Sequence, residues 1–71
     1  MTRIYVALLD EGVEVWRPVE AVQEGEDQYR ILSGNDDPET ERWEFHQGEL
    51  VRCRMKTFSD GGSGWVAFER A

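Results

Sequence analysis

Apolar residues recur at every second position along most of the chain, the spacing of a half-buried β-strand and not of an amphipathic helix. In "TRIYVALL", Ile4, Val6 and Leu8 alternate with Arg3, Tyr5, Ala7 and Leu9. Asp10, Glu11 and Gly12 supply a tight reversal. "VEVWRPVEAVQ" is β-branched and aromatic, then apolar again at Val19, Ala21 and Val22. Pro18 interrupts it without an N–H to donate, which predicts a bent strand with an edge position or a bulge. "EGEDQ" reads as a polar hairpin loop around Gly25, and "YRILS" as a short strand after it.

"GNDDPETE", from Gly34 to Glu41, has four acids and no apolar residue, so it predicts a solvated loop between two halves of one domain. In the second half Val51, Cys53, Met55 and Thr57 alternate with Leu50, Arg52, Arg54 and Lys56. "SDGGSG" predicts a flexible turn, and in "WVAFER" Val66 and Phe68 stand opposite Trp65, Ala67 and Glu69. Strands are therefore expected near residues 2–9, 13–23, 27–32, 49–57 and 64–70. The expected fold is all-β, a small five-stranded antiparallel barrel spanning residues 1–71 as a single domain. Ile4, Val6, Leu8, Val51, Met55, Val66 and Phe68 are its expected inner face.

A chain of 71 residues buries only roughly 60% of the surface it exposes when unfolded, so one small core is the limit. Hydrophobic residues at 39% and eight aromatic side chains are too many for a disordered chain. Fifteen acids against eight basic residues give a net charge of -7, a field that repels phosphate backbones and makes general nucleic-acid binding an unexpected function. A single cysteine excludes an internal disulfide, and no apolar run has the length of a membrane span. These features lead us to expect a soluble cytoplasmic protein, a monomer or weak dimer, with no membrane partner.

Within "WEFHQGELVRC", Phe45, Gly48, Glu49, Leu50, Val51 and Cys53 form a glycine-acid turn feeding an apolar strand, and "GWVAFER" follows. Residues 43 to 70 thereby resemble SH3-like (Src-homology-3-like) domains. The chain ends where a distal hairpin would be expected in that family. It also has no "ALYDY"-like segment for proline-rich ligands, so binding of that type is not carried over. "VWRPVEAV" followed by "YRIL" resembles the early hairpin of Tudor-like barrels. At whole-chain level the sequence is similar to a family of small bacterial proteins of unknown function that share strings such as "LLDEGVEVWRPVEA", "WEF", "GELVRC" and "FSDG". The resemblance implies an SH3-like barrel and a bacterial source, without an activity.

Few residues carry candidate chemistry. Cys53 lies between Arg52 and Arg54, and two cations favour a thiolate. Strand neighbours point to opposite faces, however, so Cys53 is expected to pack with Val51 and Met55 as an inert core residue. His46 has no second histidine or serine motif for a zinc site or a triad. Asp36, Asp37, Glu39 and Glu41 lack the spacing of a calcium loop and have Pro38 among them. No rule of spacing makes Glu44 and Glu49 a catalytic pair, and we expect no enzyme, metal or cofactor.

Two surface features remain. Arg52, Arg54 and Lys56 form a cationic stripe that suits phosphate, although cross-strand pairing with Glu14, Glu20 or Glu69 accounts for it more simply. Tyr5, Trp16, Trp43 and Trp65 exceed what so small a core can hold. An exposed indole among carboxylates suits a cationic ligand or a protein interface. The expected binding face is Trp16 and Tyr5 with Glu14 and Glu20, with Val13, Val15 and Val19 anchoring the strand from its other side. The sequence thus predicts a small acidic protein-interaction module for a basic or aromatic partner surface. A phosphate-binding barrel built on the stripe is the alternative, and the density of charge also allows mimicry of nucleic acid.

Overall fold

The computed structural model describes all 71 residues. It contains five strands and no helix: β1 (Thr2–Ala7), β2 (Trp16–Gln23), β3 (Gln28–Ile31), β4 (Leu50–Thr57) and β5 (Ser63–Arg70). No helix is long and apolar enough to cross a membrane. Each strand falls within about three residues of its expected bounds, because period-two patterning and turn residues mark both faces and ends.

The strands follow chain order around one closed sheet. Consecutive strands pair antiparallel, and β1 meets β5 in parallel at Tyr5 and Val66. The parallel seam is a geometric necessity: in an up-and-down chain of five strands, the first and last run in the same direction.

Pro18 occupies the edge position its chemistry demands. It stands opposite Tyr5 of β1, and β2 reaches β3 only from Ala21 onward. The Glu20 amide, two residues on and of the same parity, points away from β1 to Ser33 Oγ at 2.9 Å. The position where Pro18 lacks an N–H therefore faces no strand.

The core holds Ile4, Val6, Val19, Ala21, Tyr29, Ile31, Val51, Cys53 and Ala67, with Trp43 and Phe45 added from outside the named strands and Leu8 packed against it. Trp43 and Phe45 arrive on the segment before β4, which borrows the end of β1: Glu44 N–H donates to the Ala7 carbonyl at 2.9 Å and Leu9 N–H to that of Arg42 at 2.6 Å. Leu8 and Trp43 form an isolated antiparallel bridge. These two large aromatics, both 3% exposed, complete a core that the strands alone leave short of volume.

The expected inner face needs correction at three positions. Met55 is 54% exposed, since β4 runs past the core toward its turn. Val66 is buried as expected but stands outside the main core cluster, and Phe68 is only half-buried; Ala67 takes the inward place. A bulge between Arg52 and Cys53 puts Glu69 opposite Arg52 but Ala67 opposite Cys53, so β5 changes phase and its inward residues cannot follow one uninterrupted period of two. Val66 is buried on the other side of the sheet, in the phase of Arg54. A second correction concerns Val13, expected as an anchor of β2: it is 75% exposed, because β2 starts at Trp16 and only Val15 before it is tied down, its carbonyl accepting the N–H of Leu8, the residue after β1, at 3.0 Å.

The turn into β4 has the form read from "HQGEL". Gly48 takes φ +88°, a conformation open to glycine. Glu49 N–H donates to the His46 carbonyl at 3.1 Å, and the Glu49 carboxylate accepts the His46 amide in return. Arg70 Nε reaches the same carboxylate at 2.5 Å.

Candidate functional site

Outside the core, a cleft of about 670 Å³ opens between the start of β2 and the turn joining β4 to β5. Tyr5, Glu14, Val15 and Trp16 line one side, and Lys56, Thr57, Phe58, Ser59 and Asp60 the other. Tyr5 belongs to the outward phase of β1, between buried Ile4 and Val6, and is itself half-buried. Gly64 provides its seat: a Cβ there would stand 2.5 Å from Tyr5 Cε1.

Phe58 joins the two aromatic residues that the sequence singled out. Its ring meets Tyr5 edge-on at 5.1 Å between centroids and at an interplanar angle of 68°. Trp16 lies 6.3 Å from it at 51°. Such offset contacts hold aromatic groups together beyond their buried area. The β4–β5 turn fixes Phe58 through two backbone bonds, its own N–H to the Gly62 carbonyl at 2.6 Å and Gly61 N–H to its carbonyl at 3.0 Å. Gly61 adopts φ +93° within that turn, and the Asp60 carboxylate accepts Gly62 N–H at 2.9 Å.

Glu14 forms the polar wall. The Trp16 indole Nε1–H donates to its Oε1 at 2.7 Å, and Lys56 Nζ stands 3.2 Å from the same oxygen. The indole bond first and the lysine second hold the Glu14 carboxyl below its ordinary value. Oε2 has no side-chain partner. Tyr5, Glu14, Lys56 and Asp60 are the titratable side chains of the cleft.

The structure therefore brings together Tyr5, Trp16 and Glu14. It does not bring Glu20, which sits along β2 with Arg3 at 4.0 Å and its backbone bonded to Ser33 and Leu32. The reason is geometric: Glu20 shares the parity of Trp16, but four residues of extended strand separate the two by roughly 13 Å. Sequence reasoning missed Phe58 and Asp60. Phe58 precedes a glycine-rich turn, and nothing in its local pattern distinguishes a ring that folds back over β1 from one that caps the core.

The cationic stripe is divided. Arg52 lies 3.6 Å from Glu69, Lys56 faces Glu14 in the cleft, and the Arg54 guanidinium lies 4.9 Å from the centroid of the Phe68 ring. Cys53 is buried, and desolvation, with Asp27 adding to it, pushes its thiol up to about 12. A smaller cavity of about 350 Å³ lies just beyond the C-terminal end of β1, where Leu9, Trp43, His46, Glu41 and Arg42 meet Asn35 and Pro38 of the acidic loop.

Comparison with protein-family models, curated proteins and solved structures found no match for this chain.

Proposed function

We propose that the protein is a small acidic SH3-like barrel acting as a non-enzymatic interaction module in the cytoplasm, as a monomer or weak dimer. Its binding face is the cleft of Tyr5, Trp16, Phe58 and Glu14, and its partner presents a basic or aromatic surface. The observation that carries this reading is the cleft itself: two aromatic rings, Tyr5 and Trp16, each against Phe58, left outside the core beside an ionised carboxylate. Aromatic anchors in a groove are the groups that dominate protein interfaces.

The charge distribution supports a basic partner. Seven of the eight Lys and Arg side chains lie within 4.0 Å of a carboxylate, so the protein has spent its cations internally. Eight of its fifteen carboxylates have no such partner, Asp60 at the cleft among them. Each exposed pair contributes little to stability, but the uncompensated acids steer a cationic partner. The same distribution weakens the phosphate-binding alternative, since of Arg52, Arg54 and Lys56 only Arg54 is free of a carboxylate.

The test is a titration of the isotopically labelled protein with a lysine- and arginine-containing peptide, with its acidic counterpart and with duplex DNA. The Trp16 indole resonance should move with the basic peptide alone. Shifts confined to Arg52, Arg54 and their neighbours on addition of DNA would replace this reading with nucleic-acid binding.

A further inference from the structure

Within the cleft, Lys56 occupies a place that a partner's side chain would need. Glu14 is the only acid there with a cation on it, and that cation comes from the facing strand, β4. Both the indole N–H and the ammonium use Oε1, so both anchor the same oxygen of the carboxylate. Oε2 is free already, and departure of the lysine would release a second acceptor position on Oε1.

We infer that the cleft is a seat for an arginine side chain of the partner, and that Lys56 is an internal competitor which the arginine displaces from Glu14. This rests on the cleft being the interaction site. The chemistry selects arginine over lysine for two reasons. A guanidinium forms two parallel N–H bonds to one carboxylate, whereas an ammonium offers a point charge. Its flat face also stacks on aromatic rings, which the walls supply in Tyr5, Phe58 and Trp16. The protein itself makes such contacts twice, Arg54 on Phe68 at 4.9 Å and Arg70 on Phe45 at 5.1 Å. Asp60, without a cation of its own, adds attraction at the rim.

Displacement carries little cost on the protein's side. Lys56 and Glu14 are partly exposed, with 37% and 58% of their side-chain surfaces accessible, so the released ammonium moves into water. The lysine therefore tunes affinity and discriminates against ligands that offer only a single point of contact.

The probes are the blocked tripeptides acetyl-Gly-Arg-Gly-amide and acetyl-Gly-Lys-Gly-amide, titrated at low salt into the wild type, Lys56→Gln and Glu14→Gln. Binding is read from the Trp16 indole N–H resonance, with the Trp43 resonance reporting that each variant is folded. Lys56→Gln should bind the arginine peptide about two- to fivefold more tightly than the wild type does, the range expected for removal of an exposed ion pair. The arginine peptide should bind more tightly than the lysine peptide in both, and Glu14→Gln should weaken binding of each and narrow the difference to what stacking on the rings supplies. Unchanged or weaker binding by Lys56→Gln, or a preference for lysine, overturns the inference while leaving the cleft as a binding face. No response of Trp16 to either tripeptide or to longer basic peptides in any variant overturns the proposed function itself.

Discussion

Tyr5 lies directly on Gly64: a Cβ at that glycine would stand 2.5 Å from Cε1 of the ring and 2.9 Å from Cδ1. The two residues belong to β1 and β5, the strands whose parallel contact closes the sheet. The missing side chain lets an aromatic ring lie over the seam and still present its edge to Phe58. Closure of the sheet and construction of the cleft are therefore one packing arrangement.

Gly64→Ala should destabilise the protein by about 1 to 3 kcal/mol, the usual cost of an added methyl in a close-packed place. It should also shift the Tyr5 and Phe58 ring resonances. Gly12→Ala is the control, because a Cβ there meets nothing within 4 Å. Chemical denaturation of both variants checks the difference, and equal stability of the two would remove the proposed role of Gly64.

Gly48→Ala should cost about 1 to 2 kcal/mol for a different reason, the left-handed backbone at φ +88°. The space around Gly48 is open, so no crowding contributes. Gly48→Asn should recover part of the loss, since asparagine tolerates that conformation better than alanine.

Glu49 gives the fold a defined acid dependence. Burial works against its ionisation, yet the His46 amide and the Arg70 guanidinium outweigh burial and hold the carboxyl below 4.5, its ordinary value. A carboxyl depressed in the folded state stabilises above its unfolded value, and that contribution is lost as pH falls through the folded one. Stability should therefore decline below pH 4.5. In Glu49→Gln the decline should be shallower, and stability near neutrality should be lower; unfolding curves collected from pH 7 to pH 3 measure both.

Cys53 should resist modification. Its thiol is pushed up to about 12, which leaves far less thiolate near neutrality than in the unfolded chain, before burial limits access further. A disulfide reagent should label the native protein at the rate of its unfolding. Labelling as fast as in denaturant would place Cys53 on the outer face of β4.

The three tryptophans should separate cleanly. Trp43→Ala removes a ring that is 3% exposed and should cost about 3 to 5 kcal/mol, enough to unfold most of so small a domain. Trp16→Ala should leave the chain folded and abolish the response to basic peptides. Iodide should quench Trp65, 39% exposed, and spare Trp43.

The sequence alone determined the strands, because a period of two, a proline at an edge and glycines in turns are local signals that any compact arrangement of this chain must respect. It determined the turn from His46 to Glu49, where glycine and acid act within four residues, and the burial of Cys53 beside Val51. It also pointed to Tyr5, Trp16 and Glu14, the residues of one hairpin whose side chains remain outside the core. Only the tertiary structure decided what depends on contacts distant in sequence. The bulge at Arg52 and Cys53 put Ala67 inside in place of Val66 and Phe68. The end of β1 recruited Trp43 and Phe45 into the core, which settled which aromatics stay out. Closure of β5 on β1 carried the β4–β5 turn to the start of β2, setting Phe58 between Tyr5 and Trp16 and Lys56 on Glu14. Alternation tells each residue which face of its own strand it occupies, but the register and closure of the sheet decide which faces meet, and those are set by the packing of the whole chain.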